Sequence, residues 1–267
     1  MMAVSEHISR TTCAICELRS SSVLCDACES ETRGDFYLLL LTRFKDEGND
    51  FFGLQARCID IHDAFDHYPI PDIPVTSFDQ SVHTVDERAK ELLEEHTMIS
   101  TEEMIPIEVA GDGDCLFHTL RTFYSAMTID ELRARCIDEL CTHEQYYETI
   151  NVEMNFDLVD DESVQDHVLR IINNQQYTGV LTFAALSTVI GQPIESIYPS
   201  LNSDDEYCEV LNTAFIPQSK ELSSAEMALH IMWSGPEKEM DRIWRPNHFT
   251  PVLSVRQPSS VIKTTNH

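Results

Sequence analysis

The chain has 267 residues, enough for one good-sized domain with a small appendage or for two modest domains. Its 18 Lys and Arg residues are outnumbered by 46 Asp and Glu residues, which gives a net charge of −28. A chain this acidic is repelled by nucleic-acid phosphates and by anionic membrane surfaces. The apolar run that begins at Phe36 is too short for a membrane helix, and the first residues lack the apolar core of a secretion signal. We therefore expect an intracellular protein of the cytoplasm or nucleus that binds neither membranes nor, directly, nucleic acids.

Four cysteines near the beginning of the chain form two tight pairs, Cys13-Ala-Ile-Cys16 and Cys25-Asp-Ala-Cys28. Each pair brings two thiolates to one ion from a single turn, and two such turns close a tetrahedral site typical of structural zinc. Because few residues surround the cysteines, the metal would supply the folding free energy. The pattern predicts a four-cysteine zinc knuckle over residues 1–33 that can contact other proteins. The alternative is a flexible leader with ordinary reduced cysteines.

Residues 34–100 have the pattern of a helical segment with a Pro-rich linker. Apolar residues recur there at helical spacing, at Leu54, Cys58, Ile61 and Phe65. Three prolines within residues 69–74 exclude a continuous helix or a central strand, so the linker is predicted over about 68–82. Thr84 and Glu87 form a capping box, which predicts that another helix begins there.

Helices and short strands follow from Met104 onward. Thr128 and Glu131 form a second capping box, and a later helix is predicted to end at Gly191. Apolar runs with a strand pattern lie at 105–109, 194–198, 228–233 and 248–253. Helices concentrated in the middle and strands near the end favour the α+β class, with a small twisted sheet flanked by helices.

Cys115 has the setting of a nucleophile. Glycines on both sides of Asp112 permit a tight turn, and Cys115 would lie in the first turn of the following helix. Free N–H groups and the helix dipole stabilise a thiolate there, and the same N–H groups can line an oxyanion hole. A thiolate nucleophile needs a base, for which His248 at the start of a late strand is the candidate.

The segment GDGDCLFHTL resembles the Asp-Gly-x-Cys box of the ovarian-tumour (OTU) family of cysteine proteases, most of which are deubiquitinases. Asn247-His248-Phe249 is similar to the histidine and aromatic residue on that family's late strand. LTFAALSTVIGQPIESIY is similar to its Ala- and Leu-rich helix and the strand that follows. The resemblance implies an OTU-like, papain-type cysteine protease fold over residues 101–256, followed by a flexible tail at 257–267.

The resemblance also implies roles for particular residues. Cys115 would be the nucleophile and His248 the general base of a thiol isopeptidase that removes ubiquitin or a ubiquitin-like modifier, with no cofactor for catalysis. Asp112 corresponds to the aspartate of the family's box. The oxyanion hole would be lined by backbone amides of Asp112, Gly113 and Cys115.

The residue that orients the imidazole is left open by the sequence. Many OTU proteins carry Asp or Asn two residues after the histidine, where this chain has Thr250. A hydroxyl accepts a hydrogen bond but offers no charge to an imidazolium. Asn247, Thr250 and Asp112 are the alternatives. If none serves, the chain is a catalytically silent OTU-like module that acts through protein contacts.

Overall fold

The computed structural model describes most of the chain. The described residues are 11–13, 16, 19–20, 24–71, 73–100, 102–156, 159, 161–173, 175–201, 206–218, 228–239 and 243–255. The predicted tail at 257–267 lies outside them. Within this part of the chain no helix is both long and apolar enough to cross a bilayer.

A five-stranded sheet lies at the centre of the fold. Its strands are β3 (Met104–Pro106), β4 (Ile194–Ile197), β5 (Ala214–Phe215), β6 (Leu229–Ser234) and β7 (His248–Ser254), in the order β3-β7-β6-β4-β5. The β4–β6 pair is parallel and the other pairs are antiparallel. A separate antiparallel pair near the beginning of the chain joins β1 (Thr11–Thr12) to β2 (Arg19–Ser20).

Helices account for most of the remaining ordered elements. They are α1 (Asp26–Glu29), α2 (Arg33–Asp46), α3 (Phe51–Ile61), a 3₁₀ helix (His62–His67), α4 (Glu87–His96), α5 (Cys115–Phe123), α6 (Ile129–Thr142), α7 (Glu144–Glu153), α8 (Val164–Ile171), α9 (Val180–Ile190) and α10 (Glu206–Leu211). The central helix is α6, which contacts α2, α3, α5, α8 and α9. The predicted α+β class, with a small sheet flanked by helices, is confirmed.

The helices that precede the sheet in sequence pack directly on the elements that follow. The Arg33 guanidinium donates to Glu131 of α6 at 2.6 and 2.7 Å, and Glu131 is fully buried. Arg135 donates to Oε1 of the same carboxylate at 2.9 Å, an oxygen that Arg33 also binds, and to the phenol oxygen of Tyr37 at 2.5 Å. A buried carboxylate is stabilised by two such charge-assisted contacts, which join α2 to α6.

Local capping signals identify some helix ends and misplace one. Thr128 accepts from the Glu131 N–H at 3.0 Å, and Gly191 ends α9 with φ of +63°, both as predicted. The predicted capping box at Thr84 is wrong, because Asp86 caps α4 by accepting from the Ala89 N–H at 2.9 Å. The Thr84 carbonyl instead accepts from the Glu108 N–H, which extends the pairing beside β3. Sequence analysis did not predict α7, α10 or β5.

Candidate active site

The turn before α5 is shaped by a close backbone contact. Gly113 has φ of +97°, and a Cβ atom placed on it would lie 2.4 Å from the Gln175 carbonyl oxygen. The Gln175 N–H in turn donates to Asp114 Oδ1 at 2.8 Å. Glycine is therefore required at position 113 both by its backbone angle and by the space available.

A buried ion pair holds this turn against α6. Asp114 Oδ1 also accepts from the Arg133 guanidinium at 2.6 Å, and Arg133 is fully buried. Arg133 donates further to the carbonyl oxygens of Ile171 and Asn173, at 3.0 and 2.9 Å. Because its charge is matched by a carboxylate and two carbonyls, the pair ties the turn to the segment that follows α8.

Cys115 begins α5 and is only 2% exposed. Burial raises the pKa of its thiol to about 11, whereas the nearby backbone N–H groups of Phe249, Leu116 and Cys115 itself act to lower that pKa. The expectation that the helix N-terminus would favour a thiolate is therefore only half right. The amides do favour the thiolate, but the loss of hydration outweighs them.

His248 lies beside Cys115 because α5 packs on β7. The backbone of Phe249, the residue after His248, acts on the pKa of the Cys115 thiol, and the imidazole Nδ1 lies 3.6 Å from the Cβ position built on Gly111. Burial lowers the pKa of His248, while the charges of Asp86 and Asp112 act in the opposite direction. The predicted nucleophile and base thus lie on elements that pack against each other, and near neutral pH they are a neutral thiol and a neutral imidazole.

Asp86 is a carboxylate near His248 that sequence analysis did not identify. Thr250 Oγ1 donates to Asp86 Oδ2 at 3.0 Å, and Asp86 is the carboxylate with the largest electrostatic effect on His248. It also lines the cavity of about 520 Å³ beside His248. In the sequence, Asp86 is visible only as an acidic residue between Thr84 and Glu87 of the predicted capping box. Helix capping alone accounts for an acidic residue there, so the sequence did not point to a role beside His248.

The other predicted orienting residues have different contacts. Asp112 Oδ1 accepts from the Asp114 N–H at 3.0 Å, and its Oδ2 lies 3.1 Å from His118 Nε2. These two partners lower the pKa of Asp112 although burial opposes them. The exposed Asn247 donates its N–H to the Ser234 carbonyl at 3.1 Å, and its amide oxygen lies by Gly235. Asp112 therefore shapes the turn and Asn247 the β6–β7 pair, in addition to any effect on the imidazole.

The four predicted metal ligands meet at one point near the beginning of the chain. The sulfur atoms of Cys13, Cys16, Cys25 and Cys28 all lie within 4.8 Å of one another, and those of Cys16 and Cys25 are 3.5 Å apart. Tetrahedral coordination with metal–sulfur bonds of about 2.3 Å requires sulfur separations of about 3.8 Å. The four thiols therefore fit a single metal ion with little movement.

Comparison with known families supports the resemblance noted in the sequence. The family model for the OTU domain of vertnin matches residues 151–234, so this segment of the chain is similar to that domain. The matched segment runs from the end of α7 to the end of β6 and includes neither Cys115 nor His248. No curated protein sequence matches the chain.

Among solved structures, the chain is similar to viral OTU domains. The viral OTU domain protease from Farallon virus is 13% identical, with a TM-score of 0.38, over 61% of this chain and 92% of its own. The Hazara virus OTU bound to ubiquitin is 17% identical, with a TM-score of 0.38, over 62% of this chain and 99% of its own.

Proposed function

We propose that the chain is a thiol isopeptidase that removes ubiquitin or a ubiquitin-like modifier from proteins. The observation that carries this proposal is the packing of α5, which begins at Cys115, on β7, which begins at His248, with His248 Nδ1 3.6 Å from the Cβ position of Gly111 in the turn before Cys115. A cysteine at a helix N-terminus beside a histidine on a neighbouring strand is the arrangement that nucleophilic acyl transfer requires. The resemblance of the segment around Cys115 to OTU proteases, most of which are deubiquitinases, suggests ubiquitin or a ubiquitin-like protein as the class of modifier.

The reaction would begin when the Cys115 sulfur attacks the isopeptide carbonyl while His248 takes the thiol proton. The first intrahelical donor of α5 is the His118 N–H, so the Cys115 N–H has no acceptor within the helix and would donate to the oxyanion together with the N–H groups of Asp112 and Gly113, as the OTU resemblance implies. The imidazolium then gives its proton to the departing lysine amine, leaving a thioester on Cys115. Water, deprotonated by His248, hydrolyses the thioester and regenerates the thiol.

Asp86 would take the part that Asn247, Thr250 or Asp112 was expected to play. Its negative charge favours the imidazolium that forms during the reaction, and its hydrogen bond from Thr250 fixes where that charge lies. The raised pKa of Cys115 is consistent with proton transfer to His248 during attack rather than before substrate binds.

Covalent labelling tests the proposal. Ubiquitin with a thiol-reactive C-terminal group should form an adduct with the full chain and none with Cys115→Ala. The matched control is Cys208→Ala, since Cys208 is a half-buried free cysteine outside the site, and it should label like the parent. If folded protein forms no adduct, or if Cys115→Ala labels equally, Cys115 is not a nucleophile toward ubiquitin.

The second candidate is a silent OTU-like module that binds a partner protein. It is favoured by the 2% exposure and raised pKa of Cys115, which together describe an unreactive thiol. Retained affinity for unreactive ubiquitin, without adduct formation or turnover, would support this candidate. If ubiquitin neither binds the chain nor labels it, ubiquitin is excluded as the partner.

We propose zinc as the metal held by the four N-terminal cysteines, since an all-thiolate tetrahedral set suits Zn²⁺. This knuckle contacts the remainder of the fold. His67 Nε2 lies 3.1 Å from the Glu29 carbonyl oxygen, and the Tyr68 hydroxyl donates to the Glu31 carbonyl oxygen. A second contact surface for proteins there is part of the proposal. Metal analysis should find one zinc per chain and a loss of that zinc in Cys25→Ser.

A further inference from the structure

A small pocket near the start of β7 is enclosed by aromatic rings. Its walls include Tyr177, Tyr198, Tyr207, Trp233 and Trp244, and its volume is about 210 Å³. Pockets for drug-sized molecules usually measure about 300–1,000 Å³, so this one suits the end of a single side chain. It lies apart from the cavity beside His248 and shares none of that cavity's lining residues.

The rings form walls that meet at steep angles. Tyr198 is inclined 60° to Trp244 and 68° to Trp233, with ring centroids 5.8 and 6.2 Å apart. Tyr177 is stacked on Phe249 at 5.3 Å, and Trp233 on Phe183 at 5.6 Å. Because Tyr177 and Trp233 each stack on a buried phenylalanine, these two rings are held in fixed positions beside the pocket.

The polar edges of both indoles are already used inside the protein. Trp233 Nε1 donates to Ser196 Oγ at 2.7 Å, and Trp244 Nε1 donates to the Pro236 carbonyl at 2.9 Å. The indole N–H donors are therefore already paired within the protein, which leaves the rings themselves to interact with a ligand. The faces of aromatic rings are negative and attract cations.

The charge of the protein and the composition of the walls narrow the ligand further. A net charge of −28 concentrates cations around the chain. None of the described residues that line the pocket carries a carboxylate, so a primary ammonium would lose its water without gaining a charged acceptor. A methylated ammonium holds its water weakly and suits such walls. The one charged lining residue is the exposed Arg245, which opposes a cation.

We infer that this aromatic pocket binds a methylated ammonium group, and specifically the methylated lysine side chain of a partner polypeptide. A peptide is favoured over a choline lipid because the acidic chain is repelled by anionic membrane surfaces. The inference does not depend on catalysis at Cys115, since the pocket would bind its ligand in an active or a silent module.

Intrinsic fluorescence tests the pocket directly, because the only two tryptophans of the chain both line it. Nα-acetyl-trimethyllysine amide and choline should change the fluorescence saturably. The change should be larger than that caused by the same concentration of NaCl. The neutral carbon isostere of choline, 3,3-dimethylbutan-1-ol, should bind more weakly by about threefold or more, since it lacks the cation–π attraction. Nα-acetyl-lysine amide should also bind more weakly.

Three variants sharpen the test. Tyr207→Ala should weaken binding of trimethyllysine amide by about threefold or more, while Tyr146→Ala on α7, outside the pocket, should leave it unchanged. Arg245→Gln should strengthen binding, because it removes the opposing charge. Far-UV circular dichroism verifies that each variant is folded.

Four results would overturn the inference. Absence of saturable binding would show that the pocket is not a ligand site. Equal affinity for the neutral isostere would define it as merely apolar. Weaker binding of trimethyllysine amide in Arg245→Gln would contradict a cation site, because removal of a positive charge should favour a cation. A response to phosphatidylcholine vesicles but not to trimethyllysine amide would assign it to lipid.

Discussion

Thr250 Oγ1 donates a 3.0 Å hydrogen bond to Asp86 Oδ2 across 164 positions of sequence. The other oxygen of the same carboxylate accepts from the Ala89 N–H at the beginning of α4, so Asp86 is held from two sides. OTU-like sequences commonly place an acid or amide where this chain has Thr250. Here the hydroxyl binds a carboxylate from a distant helix cap, which puts negative charge near His248 by another route.

Replacing Asp86 with Asn should slow labelling of Cys115 by ubiquitin with a reactive C-terminus by about tenfold or more, because the imidazolium loses the carboxylate that favours it most. Asn remains a good N-cap, so stability should change little. The pKa of His248, followed by NMR, should fall further below its usual value. Thr250→Val, which keeps the carboxylate, should have the smaller effect. An unchanged His248 pKa in Asp86→Asn would show that Asp86 only caps α4 and does not act on the imidazole.

The reactivity of Cys115 should rise steeply with pH. Because burial raises its pKa to about 11, the thiolate fraction grows about tenfold per pH unit through the neutral range. The rate of iodoacetamide alkylation, measured by mass spectrometry on the peptide that contains Cys115, should increase from pH 6 to pH 10 without a plateau. A plateau already reached below pH 7 would indicate a preformed thiolate–imidazolium pair instead.

Gly113→Ala should lower the free energy of unfolding by several kcal/mol. The new Cβ would lie 2.4 Å from the Gln175 carbonyl oxygen, and backbone angles near φ of +97° are unfavourable for alanine. Gly48→Ala is the matched control, since Gly48 also has positive φ, of +62°, but its Cβ position has no atom within 4 Å. It should cost only about 1 kcal/mol in urea denaturation. Equal losses of unfolding free energy in the two variants would show that the Gln175 backbone moves away from the new Cβ atom at little cost.

Asp138→Asn should stabilise the protein at neutral pH. Burial raises the pKa of Asp138 to about 6, although His62 Nδ1 lies 2.9 Å from its Oδ2. Between the unfolded pKa of about 3.9 and the folded value, the folded state binds more protons, so this group's contribution to stability falls as pH rises through that window. Above about pH 6 this contribution to stability has been lost, and the Asp138→Asn variant should have a free energy of unfolding higher by about 1–2 kcal/mol.

Urea denaturation at pH 4.5 and pH 7.5 separates this effect from the general benefit of removing negative charge. Asp60→Asn on α3 is the control, because Asp60 is exposed and its replacement changes the net charge equally. It should give a smaller gain and leave the pH dependence of stability unchanged. The prediction fails if both variants gain equally at pH 7.5.

The sequence by itself determined the local features of this protein. Apolar periodicity predicted most of the helices, and Thr128 and Gly191 marked helix ends because a cap depends on residues within one turn. The spacing of Cys13 with Cys16 and of Cys25 with Cys28 predicted one metal site, because each pair lies within a single turn. The glycine-flanked turn before Cys115 was also visible, since tight turns require particular residues at particular positions.

Only the tertiary structure decided how distant segments act on one another. Nothing in the neighbourhood of Asp86 indicated that β7 would bring Thr250 and His248 to it, because that approach depends on how α4 packs against the sheet. The same packing buries Cys115, and burial changes a pKa through lost hydration, which no spacing of residues records. Short-range geometry is encoded in neighbouring residues, whereas burial and long-range charge depend on the whole packed chain.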